Sequence, residues 1–248
     1  MKKILLSLAV AVSFGAGSVA ADNVRIGTEG AYAPWNFIDD GGNLAGFEID
    51  LGNALCEKAG HTCEFVQNEW DSMIPNLIAG NYDLIMAGMS ITEERQQSID
   101  FSAHYYPPDP SYYAAAAGAS YDFENLSGVR LGAQGATIQS AYLEEHFGAN
   151  NTIVTYETAD QSVADLAAGN IDLLLADGEF LKPIVEGSGG ALAFTGPEPL
   201  IGGGVGIGMR KNEDALMSSF SAALEAAKAD GTVDALIAKY FETGPFYQ

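Results

Sequence analysis

Glu29, Arg95 and Asp177 are charged residues whose local settings suggest a task beyond solubility. Glu29 sits in the Gly-rich turn GTEGAYAPWNF (27–37), which also carries Tyr32, Trp35 and Phe37, so one acid lies beside much ring surface. Arg95 closes the stretch Ser90-Ile-Thr-Glu-Glu-Arg95, in which Ser90 and Glu93 have capping-box spacing. A helix start of that kind turns free backbone amides outward, which suits an anion, and a guanidinium one turn in can grip a carboxylate through two hydrogen bonds. Thr137, in a turn after Gly135, can offer its amide to the same anion. Asp177, at the end of an apolar run, would attract an ammonium group. A carboxylate and an ammonium on adjacent atoms describe an α-amino acid. The plainer alternatives are a surface arginine in an i,i+4 pair for Arg95 and a helix N-cap for Asp177.

An internal repeat supplies the elements that must position these groups. Residues 24–31 (VRIGTEGA) and 129–136 (VRLGAQGA) share five of eight positions, and residues 77–88 (LIAGNYDLIMAG) and 166–177 (LAAGNIDLLLAD) share seven of twelve. Two matches in the same order point to two lobes of one architecture. Trp70–Ala79 has helical spacing, Gly80 stops it, and Asp83–Ala87 reads as a short buried strand. Residues 162–176 repeat that helix, stop and strand. Further helices are expected at Phe47–Ala59, Thr92–Ser98, Gln139–Phe147, Asn212–Ala229 and Val233–Phe241. Strands are expected at Val24–Gly27, Cys63–Gln67, Val129–Ala133, Ile153–Tyr156 and Val205–Met209. The alternation predicts an α/β protein whose sheets are mostly parallel and covered on both faces.

The proline clusters Pro107-Pro108-Asp109-Pro110 and Gly196-Pro197-Glu198-Pro199 break this pattern twice. Two crossings predict a discontinuous first lobe (22–108 and 201–248), a second lobe (114–195), and a two-stranded hinge (109–113 and 196–200) after a leader, residues 1–21. Ligands of open α/β sheets bind beyond the carboxyl ends of strands. Those ends are Glu29–Tyr32, the turn at Trp70, and Gly88-Met89-Ser90 in one half, and Gln134–Thr137 with Asp177 in the other.

Lys2 and Lys3, the apolar run Ile4–Phe14 and the small residues to Ala21 form a secretory leader, with cleavage expected after Ala20 or Ala21. The apolar run is too short to span a membrane comfortably, and no later stretch approaches ~20 apolar residues. A mature protein of about 227 residues, lying outside the cytoplasm, would remain. Without Lys2 and Lys3 it has 9 basic and 33 acidic residues, a net charge of −24, which argues against nucleic-acid binding and could concentrate a cationic ligand. Cys56 and Cys63 are an even pair seven residues apart, and an oxidising compartment suggests one small disulfide loop. Only His61 and Glu64 lie near them, too few for a metal site, and no cofactor is expected.

GTEGAYAPWNF, GFEIDLGNALCEK, the segment from Trp70-Asp71 to Pro75, MSITEERQQSIDFS (89–102) and ADGTVDALIAKYF resemble the extracytoplasmic amino-acid-binding proteins of ABC importers, solute-binding protein family 3. The nearest group is the lysine/arginine/ornithine, histidine and opine binders, and the resemblance covers essentially the whole mature chain. It implies a two-lobe periplasmic-binding-protein fold (type II), a real Cys56–Cys63 bridge, a monomer that delivers a small amino acid to a membrane permease, and no enzymatic activity. Carried over by position, Arg95 and the amides of Ser90 and Thr137 would hold the α-carboxylate. Asp177, the Ser90 hydroxyl and the Gly88 carbonyl would hold the α-amino group. Glu29, Tyr32 and Trp70 would form the side-chain pocket, the acid selecting a cationic tail and the rings contacting its methylenes. Trp35 and Phe37 would pack beneath the turn. The chain departs from the family in having Ala87 and Gly88 where basic amino-acid binders commonly have two serines, and Ile138 where they have glutamine. These differences leave an opine or another arginine derivative as an alternative ligand, with histidine or a polar amino acid behind it. A dehydratase on the same fold would need a positioned acid or base; Glu29 could serve, but no nucleophile–base pair or metal set accompanies it.

Overall fold

The computed structural model describes residues 23–241 and 243–247, so the expected leader lies outside the described residues. The first half runs β1 (Asn23–Thr28), a small antiparallel sheet of β2 (Ala31–Tyr32), β3 (Asn36–Ile38) and β4 (Leu44–Ala45), then α1 (Phe47–Ala59) and β5 (Thr62–Gln67). A single 3-10 turn, Trp70–Ser72, leads into α2 (Met73–Ile78), followed by β6 (Leu84–Ile85), α3 (Glu93–Ser98) and β7 (Ile99–Tyr106). The second half holds β8 (Ser111–Ala116), β9 (Arg130–Gln134), α4 (Ile138–Phe147), β10 (Thr152–Tyr156), α5 (Ala159–Ala168), β11 (Leu173–Asp177), α6 (Gly178–Gly187) and β12 (Leu192–Thr195). The chain finishes with β13 (Val205–Arg210), α7 (Asp214–Ala229) and α8 (Thr232–Tyr240).

Two five-stranded sheets result, ordered β5-β1-β6-β13-β7 and β10-β9-β11-β8-β12. In each, four strands run one way and one runs against them: β13 in the first sheet and β8 in the second. Each reversed strand is the one the chain enters just after passing from one sheet to the other. The two passing segments meet, with the Ser111 amide donating to the Pro199 carbonyl at 2.9 Å.

The repeat in the sequence is a repeat in space. Arg25 makes an ion pair with Asp83 at 2.9 Å, and its counterpart Arg130 pairs with Asp172 at 2.6 Å. Gly27 lies so close to the Tyr82 ring that a Cβ would sit 2.6 Å from it, and its counterpart Gly132 is pressed as closely by Ile171. Both sheets are buried on both faces, which their apolar runs require. Along β6, Leu84 packs into the large core shared with α1, α7 and α8, while Ile85 faces the cluster of Met73, Leu77 and Tyr82. Along β11, Leu174 faces one side and Leu173 and Leu175 the other.

Helix α1 has its expected bounds and stops at Gly60, whose φ of 74° is the left-handed conformation that favours glycine. Cys56 of α1 is joined to Cys63 of β5, with Cα atoms 6.1 Å apart. Strands β7, β8 and β12 and helix α6 were not expected from periodicity. Trp35 is buried against Phe47, Tyr106 and Phe241 at ring distances of 4.8–5.8 Å, whereas Phe37 is only half-buried. No helix among the described residues is long and apolar enough to cross a membrane.

Candidate functional site

The turns at the carboxyl ends of the strands converge on one cavity between the two sheets. Its lining includes all eight residues singled out by sequence: Glu29, Tyr32, Trp70, Gly88, Ser90, Arg95, Thr137 and Asp177. Ala87, Gln134, Ile138 and Gln139 complete it.

Glu29 follows the last residue of β1 and is only 5% exposed. Its Oε1 accepts a 2.6 Å hydrogen bond from Gln134 Nε2, at the end of β9. Gln134 is the counterpart of Glu29 in the repeat, so the two halves contribute an acid and an amide from equivalent positions and join them across the cavity. Burial pushes the Glu29 carboxyl up to about 7; the Gln134 hydrogen bond opposes the shift, and the charges of Asp160 and Glu48 add to it.

Asp177 ends β11 and occupies the N-cap position of α6, yet its side chain makes no capping bond. Its carboxylate instead accepts from Tyr32 Oη at 2.7 Å and from Gln139 Nε2 at 2.8 Å. Burial raises its pKa, while those two hydrogen bonds and the charge of Arg95 act in the opposite direction. Tyr32 also stacks on Phe180 of α6, with ring centroids 4.4 Å apart. The ring is therefore held by the first half and clamped by the second.

Arg95 does not follow a Ser90–Glu93 capping box. Thr92 is the N-cap of α3, its Oγ1 accepting from the Arg95 amide at 3.1 Å, because Ser90 is drawn into a β-bridge with Val205. The Arg95 side chain folds back so that Nη1 donates to the Ser90 carbonyl at 2.9 Å and the guanidinium lies 5.3 Å from the Trp70 ring centre. Burial lowers its pKa to about 10, which leaves it charged at neutral pH. Trp70 Nε1 in turn donates to the Ala136 carbonyl of the second half at 3.2 Å. Thr137 caps α4 in a true capping box with Ser140, and its amide donates to Ser140 Oγ at 3.2 Å.

Gln139 was absent from the sequence-derived set. It bridges Asp177 and Ser111 Oγ, the latter at 3.0 Å, from the first turn of α4. Nothing in its local sequence marks it, whereas Gln134 was legible as a strand end and as the counterpart of Glu29 in the repeat, though not as its hydrogen-bond partner. The cavity thus combines a buried acid, aromatic rings, a guanidinium and a second acid, which can receive a small zwitterion with a polar or cationic tail.

Residues 24–243 match the model of the bacterial extracellular solute-binding proteins, family 3. The histidine-binding periplasmic protein of Escherichia coli K12 is 37% identical over 257 residues, covering 98% of both chains. The lysine/arginine/ornithine-binding periplasmic protein of the same strain is 37% identical over 258 residues, again covering 98% of both. Among solved structures, a periplasmic His/Glu/Gln/Arg/opine family-binding protein from Silicibacter pomeroyi in complex with lysine is 48% identical, with a TM-score of 0.84 over 90% of this chain and 100% of that one.

Proposed function

The chain belongs to the bacterial extracellular solute-binding proteins, family 3, and we propose that it captures a basic L-amino acid, arginine, lysine or ornithine, for an ABC importer. The observation that carries this reading is the meeting of Glu29 and Arg95 with Asp177 in one cavity. Arg95 and the amides of Ser90 and Thr137, the latter turned from Ser140 Oγ, receive the α-carboxylate; Asp177, the Ser90 hydroxyl and the Gly88 carbonyl receive the α-ammonium group; and Glu29 takes the cationic tail, with Tyr32 and Trp70 along its methylenes. The lysine complex of the Silicibacter pomeroyi protein and the names of the Escherichia coli relatives support the ligand class. Ala87 and Gly88, which offer no hydroxyl to the cavity, favour an arginine conjugate as the second reading.

The lobes are residues 22–108 with 201–248 and residues 114–195, and the passing segments 109–113 and 196–200 form the hinge. Closure excludes water from the ion contacts, and the ligand shifts an open–closed equilibrium by its differential affinity for the two states. The mature protein acts as a periplasmic monomer that presents its closed form to a membrane permease, after a cleaved leader.

A thermal-shift screen of the twenty amino acids with ornithine, citrulline, octopine and nopaline tests the ligand class. Cationic amino acids should raise the melting temperature of the native protein, and Glu29→Gln should abolish that rise while sparing any effect of glutamine. Stabilisation by neutral amino acids alone would refute the reading.

A further inference from the structure

Glu48 is a fully buried carboxylate, at 0% exposure, that the ligand contacts proposed above do not use. It belongs to the GFEIDL motif and is the second residue of α1, where the helix dipole favours a negative charge. Its Oε1 accepts from the Gly88 amide at 2.6 Å and from the Tyr105 hydroxyl, and its Oε2 accepts from Asn36 Nδ2 at 2.7 Å. Asn36, also fully buried, accepts the Gly30 amide on Oδ1 at 2.7 Å. One hydrogen-bonded path therefore runs from the Gly88 amide through Glu48 and Asn36 to the Gly30 amide.

The two amides lie in the turns that follow β6 and β1, neighbouring parallel strands. The amide of Met86 still bonds Gly27, but beyond that point the turns separate to make the cavity wall. Buried amides released from a ladder need other acceptors. Gly30 adjoins Glu29, and Gly88 lines the cavity itself.

We propose that Glu48 is a positioning residue whose buried carboxylate sets the relative placement of the Glu29 and Gly88 turns, and thereby the shape of the binding cavity. This rests on that cavity being the ligand site. Donor arithmetic requires a carboxyl group here, even though burial raises its pKa. The Gly88 amide and Asn36 Nδ2 are fixed donors on its two different oxygens, and an amide there would direct its own N–H₂ at one of them. Reversing Asn36 to relieve that clash would point its NH₂ at the Gly30 amide. The mispairing thus passes along the path and ends in a turn of the site. A double substitution avoids this: Glu48→Gln with Asn36→Asp restores a donor opposite every acceptor, with the carboxylate moved one link along.

The experiment measures L-arginine affinity by calorimetry, together with ¹⁵N–¹H spectra, for the native protein, Glu48→Gln and the double variant. Glu48→Gln should weaken arginine about tenfold, because relieving an unpaired buried donor moves the Gly30 or Gly88 turn out of the cavity wall, and should displace the Gly30 and Gly88 amide resonances. The double variant should recover most of the affinity and both resonances. The pH midpoint of arginine affinity should also fall in Glu48→Gln, because Glu29 loses one nearby negative charge while Asp160 and the Gln134 hydrogen bond remain. Native affinity with unmoved resonances in Glu48→Gln, or no recovery in the double variant, overturns the proposal. If Glu48→Gln does not fold, amide exchange of the unliganded native protein decides: Gly30 and Gly88 must be protected, and fast exchange at both overturns it. The amide measurements need no ligand. Failure of the native protein to bind arginine or lysine would therefore count against the ligand reading alone.

Discussion

Acid should weaken the binding of L-arginine, and the excess over a neutral amino acid should belong to Glu29. That carboxyl titrates at about 7, mainly because it is buried. A raised carboxyl keeps its proton in the free protein, whereas a cation docked beside it favours the ionised form. Below pH 7 each arginine must therefore displace a proton, and well above it none. At pH 6 about ten in eleven free molecules hold the proton, so the apparent dissociation constant is about 11-fold weaker than at alkaline pH, and at pH 5.5 about 30-fold weaker. Asp177 is raised as well, so acid also weakens docking of the α-ammonium group. L-Glutamine experiences that second effect without the first, which makes it the reference. Calorimetry in two buffers of different ionisation enthalpy should find about 0.9 proton released per arginine at pH 6 and about 0.1 at pH 8, in excess of glutamine. Glu29→Gln should remove the excess. Parallel pH curves for the two ligands, with equal proton release, would show that Glu29 does not face the tail. The same shift acts on folding. The stability contributed by neutral Glu29 is fully present below its unfolded value of 4.5 and is lost as pH rises through about 7, about 3 kcal/mol in all. The ligand-free melting temperature should accordingly fall more steeply across that window than it does in Glu29→Gln.

Arg95→Ala should weaken every α-amino acid by about 2–5 kcal/mol, irrespective of side chain, because it strands the ligand carboxylate in a desolvated site; unchanged affinity by calorimetry would return Arg95 to a structural role with Ser90 and Trp70. Tyr32→Phe removes the 2.7 Å hydrogen bond to Asp177 and should cost each ligand about 1 kcal/mol while keeping the Phe180 stack and the ring beside the tail; a loss confined to cationic ligands would show that the hydroxyl does not act through Asp177. Replacing Cys56 and Cys63 together by serine should lower unfolding free energy by about 2–3 kcal/mol in denaturant titrations without changing arginine affinity, since the bridge ties α1 to β5 away from the cavity lining.

The strands of the repeated units were legible because each carries its own signal. Apolar runs ended by Gly80 or Gly169 gave helix, stop and strand twice, and the shared VR and GN-D positions proved to be paired ion bridges, Arg25–Asp83 and Arg130–Asp172. The strands that were missed have no such signal. Ser111–Ala116 is small and aromatic without alternation, Leu192–Thr195 is four residues long, and both gain their conformation by pairing with each other. Ser90 shows the limit of local motifs. Its capping spacing was real, but a bridge to Val205, more than a hundred residues away, took it out of the helix start and left Thr92 to cap.

The sequence alone determined the repeated α/β halves, the two crossings, and the identities of the charged groups at the strand ends, because periodicity, proline clusters and internal repetition are properties of neighbours along the chain. Only the tertiary structure decided which of those groups meet. Gln134 facing Glu29, Tyr32 and Gln139 sharing Asp177, and Glu48 holding the turns of Gly30 and Gly88 all join residues remote in sequence. Burial supplies the reason that such meetings matter. Once strand ends are closed off from water, each polar atom must find its partner across the fold, and the chemistry of the cavity follows from which partner it finds.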